Sequence, residues 1–520
     1  MRSNQPILNH MPTIRQDDLI DSVADALQFI SYYHPKDFID AVHEAYLREE
    51  SKAAKDAMAQ ILINSKLCAE GHRPICQDTG IVTVFAKIGM NVQWDATMDF
   101  ESMVNEGVRR AYTHPDNTLR ASILHDPAGA RKNSGDNTPA VIHTQLVPGD
   151  TVDIQVAAKG GGSENKSKLA MLNPSDSIVD WVVKTVPTMG GGWCPPGMLG
   201  IGIGGTAEKA AVLAKESLME PIDIQQLKKR GPKTRAEELR LEIFEAVNAL
   251  GIGAQGLGGL TTVVDIKVKE YPTHAASLPI AMIPNCAATR HAHFELTGDG
   301  PALQTPPSLD DWPEVTWEAG GSSRRVNLDT VTQADVESWK PGETLLLSGV
   351  MLTGRDAAHK RIQSLFESGE GLPDGVDFTN KFIYYVGPVD AVRDEAVGPA
   401  GPTTATRMDK FTEMMLAETG LLGMIGKAER GPAAIDAIKK HKSVYLMAVG
   451  GAAYLVSKAI KSSRVVAFEE LGMEAIHEFV VEDMPVTVAV DSTGEAVHQT
   501  GPALWRGKLD SGEVKPIYFS

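Results

Sequence analysis

Four cysteines stand among the 520 residues, Cys68, Cys76, Cys194 and Cys286, and no two of them are spaced as C-x-x-C. Spacing therefore carries no zinc or ferredoxin signature, and context must be read instead. Cys76 lies in Pro-Ile-Cys-Gln-Asp-Thr-Gly, Cys194 in Gly-Trp-Cys-Pro-Pro-Gly and Cys286 in Pro-Asn-Cys-Ala-Ala-Thr-Arg-His. Each is a turn suited to presenting a side chain into a cavity. Cys68, in Ser-Lys-Leu-Cys-Ala-Glu, sits on an apparent helix, and a small buried hydrophobe is the reading kept for it. Three thiolates can hold three corners of a four-iron cluster and leave the fourth iron without a protein ligand. That arrangement gives an open Lewis-acid position, which binds substrate rather than carrying electrons.

Three glycine-rich segments surround these turns, at residues 160–162, 190–205 and 251–259. Their glycines permit positive φ and close backbone approach, so N–H groups can converge on an anion or cofactor; ordinary tight turns are the alternative. Gly200-x-Gly202-x-Gly204-Gly205, before a helix capped at Thr206, loosely imitates a dinucleotide fingerprint. Trp193-Cys-Pro-Pro occupies the place of the strand such a fingerprint needs, which leaves a nicotinamide enzyme a distant rival.

The elements that must position these residues are legible in outline. From Thr13 to about Lys66 the pattern is helical, with Leu19, Val23, Ala26 and Ile30 at helical steps and Pro35 separating two helices. Up to Cys286, strand-like runs (IVTVFAKIG, TVDIQVAAK, TTVVDIKV) alternate with helical stretches at Ala207–Leu218 and Pro232–Leu250. Residues 298–325 gather Gly, Pro, Asp and Ser without an apolar face and read as a linker. Beyond them, ETLLLSGV, FIYYVG, SVYLMAV, RVVAFE and VTVAV alternate with helices, giving a second αβ domain. The fold class expected is two-domain, α/β and α+β, with domains at 1–300 and 326–520 joined by 301–325. A net charge of −17 opposes attraction to nucleic acid or anionic membrane, and no apolar run is long enough to span a bilayer. A cytoplasmic protein acting on a small molecule is expected.

Taken together, PICQDTG, NTLRAS, AKGGGSENKS, GGGWCPPGMLGIGIGG, THAASLPIAMIPNCAATRH, SGVMLTGRDAAHKR, GPTTATRM and IGKAERG resemble the class I, iron-sulfur fumarate hydratases in their single-chain form, in order and over nearly the whole chain. The resemblance implies an N-terminal cluster-binding domain, a C-terminal swivelling αβ domain with the site between them, and a homodimer. It implies a [4Fe-4S] cluster on Cys76, Cys194 and Cys286, and reversible hydration of fumarate to (S)-malate. Related enzymes act on tartrate or mesaconate; a non-catalytic nucleotide- or metal-binding module is the rival of another class.

A dicarboxylate needs a local cationic pocket in a chain this acidic, and Arg120, Arg355, Arg407 and Lys427 are the candidates, since guanidinium groups grip carboxylates through paired charge-assisted bonds. By resemblance, Gln77, the backbone of Gly160, Gly161 and Gly162, and His274 complete the substrate contacts. Hydration requires one group to take the proton of water and another to exchange a proton with carbon. Asp78, two residues beyond Cys76, suits the oxygen side, and Thr403 matches the family's second acid/base residue, with Arg407 expected as the nearby cation. A helix N-cap is the structural alternative for Thr403.

Overall fold

The computed structural model describes residues 12–315, 317 and 323–516. They divide into two compact units of mixed helix and strand. One comprises the chain through Ser31, Thr79–Lys159 and Arg290–Pro307. Its main sheet runs in the order His291–Leu296, Val152–Lys159, Ile81–Gly89, Val141–Val147, antiparallel except for the last pair. Alternate residues Val152, Ile154 and Val156 face a core completed by helices Gln16–Tyr32 and Phe100–Tyr112, through Leu19, Val23 and Leu27 and through Met103, Val104 and Val108. The helices approach closely because Gly107 has no Cβ to meet Val23. Thr13–Arg15 is a strand rather than the expected start of the helix: it pairs with Gln93–Asp95, and the Asp18 carboxylate takes the Arg15 N–H as the helix begins.

The second unit comprises Tyr32–Asp78, Gly160–Thr289 and the chain from Ser308. Pro35 opens helix Lys36–Arg48, and Ser51 caps Lys52–Gly71 by accepting the Ala54 N–H. A four-stranded sheet follows in the order Val263–Tyr271, Gly197–Gly204, Leu278–Asn285, Lys168–Leu172. The glycine-rich run read as a loose dinucleotide fingerprint, with tight turns as the alternative, is a buried strand, Gly197–Gly204. Its glycines serve packing: a Cβ at Gly200 or Gly202 would overlap the carbonyl oxygens of Ala214 or Ala210 on helix Ala207–Ser217. Thr206 is the N-cap residue of that helix, but its hydroxyl goes to Glu208 rather than to a backbone N–H.

A seven-stranded sheet forms the rest, with Arg324–Asn327, Thr344–Thr353, Phe382–Tyr384, Gly423–Gly426 and Val444–Met447 parallel in that order. The long strand Ile476–Val490 pairs antiparallel with both Val444–Met447 and Thr344–Thr353, so the sheet curls back on itself around Leu345, Leu347, Phe382, Ile425, Leu446 and Phe479. In the stretch expected as a linker, Trp312 is buried and donates its indole N–H to Ser65 Oγ at 2.9 Å; residues 316 and 318–322 lie outside the described residues. Among the described residues no helix is long and apolar enough to cross a membrane.

Candidate active site

The parallel strands of the second unit end on one edge, and their carboxyl ends carry the candidate residues, the usual place for a site on such a sheet. Arg355 follows Thr344–Thr353, Lys427 follows Gly423–Gly426, and Thr403 is held after Phe382–Tyr384 by its N–H to the Tyr385 carbonyl at 2.7 Å. Thr403 and Lys427 are tied through the backbone, Lys427 N–H donating to the Thr403 carbonyl at 3.0 Å. The cysteines come from the other elements of the same unit. Cys194 precedes the buried strand Gly197–Gly204, Cys286 follows its antiparallel neighbour Leu278–Asn285, and the register Asn285 to Met198 brings these two ends together. The Ala287 N–H then closes on the Cys194 carbonyl at 3.0 Å. Cys76 follows helix Lys52–Gly71 and joins Ala288 and the half-buried Cys286 in one small apolar cluster.

Electrostatics reports the same convergence. Burial pushes the Cys194 thiol up to about 11, against the pull of Lys427 and with the nearby Cys286 and Cys76 sulfurs adding to the rise. Burial works to lower Lys427, yet the three sulfurs and the Asp78 carboxylate outweigh it and hold the ammonium above its ordinary value. Lys427 Nζ lies 3.3 Å from Cys194 Sγ. A buried cation facing three thiols and a carboxylate is thus the centre of the arrangement.

The other expected residues sort themselves around this centre. Gln77 is buried, with its Nε2 donating to the Pro402 carbonyl at 3.2 Å, so the Cys76 turn reaches the Thr403 turn directly. Asp78 Oδ2 accepts the Gly161 N–H at 2.8 Å, and Gly162 lies against Lys427 Nζ, while Gly160 is the N-cap of the short helix Gly161–Glu164. Arg355 is buried and 3.5 Å from Glu474, its guanidinium passing over Gly387, where a Cβ would not fit. Thr403 is not a cap: the N-cap of the turn Ala405–Met408 is Thr404, without a side-chain cap bond.

Three expected residues have other partners. Arg407 is exposed and paired with Asp356 at 2.6 Å, whereas Lys427 is bonded to Thr403 through the backbone. His274 is on an exposed turn, where Nδ1 accepts the Ala276 N–H at 3.1 Å. Arg120 belongs to the first unit, its carbonyl accepting the Thr79 hydroxyl at 2.6 Å. Gly450, where a Cβ would overlap Cys194 Sγ, is not among the expected residues, and Gln255, which is bonded to it, lies in the glycine-rich segment 251–259 without having been named itself. The sequence signals are the paired glycines directly after a strand-like run for Gly450 and the glycine-rich segment itself for Gln255.

Residues 20–295 match the fumarate hydratase (Fumerase) family and residues 298–501 the fumarase C-terminus. The chain belongs to the class I fumarate hydratase family. It is 35% identical over 469 residues to "Fumarate hydratase class I, aerobic" of Escherichia coli (strain K12), covering 87% of this chain and 84% of that protein. It is 32% identical over 501 residues to "Fumarate hydratase 2" of Leishmania major, covering 91% and 85%. A "Putative L(+)-tartrate dehydratase subunit alpha" of Methanocaldococcus jannaschii is 38% identical over 282 residues, 52% of this chain and 95% of that protein.

Proposed function

We propose that the protein is a hydro-lyase that hydrates fumarate reversibly and stereospecifically to (S)-malate. The observation that carries this reading is the meeting of Cys76, Cys194 and Cys286 around the buried Lys427, with Asp78 beside it. The donor set fits a [4Fe-4S] cluster: three soft thiols in separate turns, with glycine at 450, where a Cβ would overlap Cys194 Sγ. Among the described residues no group of three or more His, Cys, Asp or Glu could hold a metal ion. A cluster would not need such a group, since Cys76, Cys194 and Cys286 would each hold a different iron. When bound, it supplies an open Lewis-acid iron that lowers the pKa of water and draws off developing charge.

The chain's own residues do the rest. Lys427 and Arg355, both buried, bind the carboxylates of the dianion and fix its orientation. Asp78, steadied by the Gly161 N–H, exchanges the proton of water. Thr403 Oγ exchanges a proton with the adjoining carbon, with Lys427 as the neighbouring cation that makes an alcohol competent for this. Gln77 keeps the two groups in register through Pro402. Arg120, Arg407, His274 and the Gly160–Gly162 backbone remain proposed substrate contacts from the family motifs.

The residues 1–300 are proposed as the cysteine-bearing domain and 326–520 as the swivelling domain that bears Arg355, Thr403, Arg407 and Lys427, with 301–325 between them. Cytoplasmic location is proposed from four free cysteines, and a homodimer from the exposed Leu169 and Met171 on the edge strand Lys168–Leu172. Anaerobic assay with fumarate and with L(+)-tartrate tests the activity. Turnover of fumarate is expected; turnover of tartrate alone would move the chain to that reaction.

A further inference from the structure

The turn Gly450–Gly451, which follows strand Val444–Met447 after Ala448 and Val449, is gripped from two sides by side-chain amides that no catalytic step uses. Gln255 Oε1 accepts the Gly450 N–H at 2.8 Å, while its Nε2 donates to the Gly450 carbonyl at 3.2 Å and to the Pro195 carbonyl at 2.9 Å. One planar group thereby sets the separation between Gly450 and the residue that follows Cys194. Asn64 does the same on the other side. Its Nδ2 donates at 3.1 Å to the carbonyls of both Gly451 and Ile75, the residue before Cys76, and its Oδ1 accepts the N–H groups of Tyr454 and Leu455 at 2.9 Å. Both amides are buried, and all four bonding positions of Asn64 are used.

Backbone strain singles out Gln255. Its φ is +55°, in a loop where Gly253, Gly256 and Gly258 also have positive φ, and Cys194 opposite it has φ +57°. Glycine would adopt this conformation without cost, so a glutamine kept there is held by what its side chain does.

We propose that Gln255 and Asn64 are positioning residues for the cysteine ligands, locking the Cys194 and Cys76 turns onto the shared Gly450–Gly451 turn and so fixing where the two sulfurs point. This rests on the cluster reading above. Residues behind metal ligands typically change metal affinity by about 10- to 100-fold when replaced. Asn64→Asp keeps the acceptor for the Tyr454 and Leu455 N–H groups but removes the donor to Ile75 and Gly451; Gln255→Met keeps the length and removes both functions.

The test reconstitutes wild-type chain, Gln255→Met and Asn64→Asp anaerobically with iron and sulfide. It follows cluster loss to a chelator, the electron paramagnetic resonance signal of the reduced cluster, and thermal melting of the cluster-free chains. The expected result is about 10- to 100-fold faster loss and an altered signal in both variants, whatever the change in cluster-free melting. Wild-type loss rates and signal in the variants, with or without a lower melting temperature, would overturn the positioning role. If Gln255→Met does not fold, Asn64→Asp decides on the same readouts. A wild-type chain that takes up no cluster would instead overturn the cluster reading and the positioning with it.

Discussion

The Cys194 sulfur lies 3.3 Å from Lys427 Nζ and against the turn at Gly450, where a Cβ would overlap it. The Gly-Trp-Cys-Pro-Pro-Gly turn marks Cys194 as a ligand candidate, but its φ of +57°, its contact with Lys427 and the glycine opposite its sulfur depend on chain hundreds of residues away. Changing Cys76, Cys194 or Cys286 to Ser should abolish iron and sulfide uptake, whereas Cys68→Ser should load normally, because Cys68 is fully buried with its thiol directed at the Pro74 carbonyl. Thr403→Val should slow hydration by about 10² to 10⁴-fold with cluster content unchanged, and Thr403→Ser should recover part of it. Wild-type turnover in a loaded Thr403→Val chain would remove Thr403 from the chemistry. Arg407 and His274, both surface-exposed, owe their place among the proposed contacts to motif alone. His359 was unreadable in sequence. Burial pushes it down from 6.5 to about 4, with Nδ1 donating to the Arg355 carbonyl. Between those values the unfolded chain takes the proton first, so stability is full above about pH 6.5 and falls as pH drops toward 4, by at most about 3 kcal/mol. Melting of wild type should therefore drop more than that of His359→Gln between about pH 7 and pH 5. Equal drops would show that His359 does not control the transition.

At the scale of elements, periodic segments were the readable ones. The strands Ile81–Gly89, Val152–Lys159 and Val263–Tyr271 follow their apolar runs closely, and so do helices Ala207–Ser217 and Arg235–Asn248. Elements rich in glycine were not readable, because glycine signals both a turn and a close approach. Gly197–Gly204 is the clearest case, and Gly423–Gly426 is too short to show a period. Helix Val497–Ser511 contains Gly501 and Pro502, breaker signals in sequence; Gly501 is there because a Cβ would overlap the Leu257 carbonyl oxygen. The packing account predicts that Gly202→Ala, which forces a methyl into the Ala210 carbonyl, destabilises the chain by about 1–3 kcal/mol or more. A urea midpoint equal to wild type would show that the helix can move away at no cost.

For the whole molecule, composition excluded classes rather than choosing one: a net charge of −17 makes any dianion site depend on local cations, and Lys427 and Arg355 are buried cations just beyond two of the parallel strands. The interleaving of three chain segments in each compact unit has no linear sign, because strand His291–Leu296 pairs with Val152–Lys159, more than a hundred residues earlier. Cys76, Asp78, Thr403 and Lys427 nevertheless fall in one unit, so the proposed chemistry rests on contacts within it. The most direct test is to reconstitute the chain anaerobically to graded iron and sulfide contents and follow loss of fumarate absorbance at each. The account predicts hydration in proportion to cluster content, falling together with it on exposure to air; full hydration by iron-free chain, or none by fully loaded chain, would contradict it.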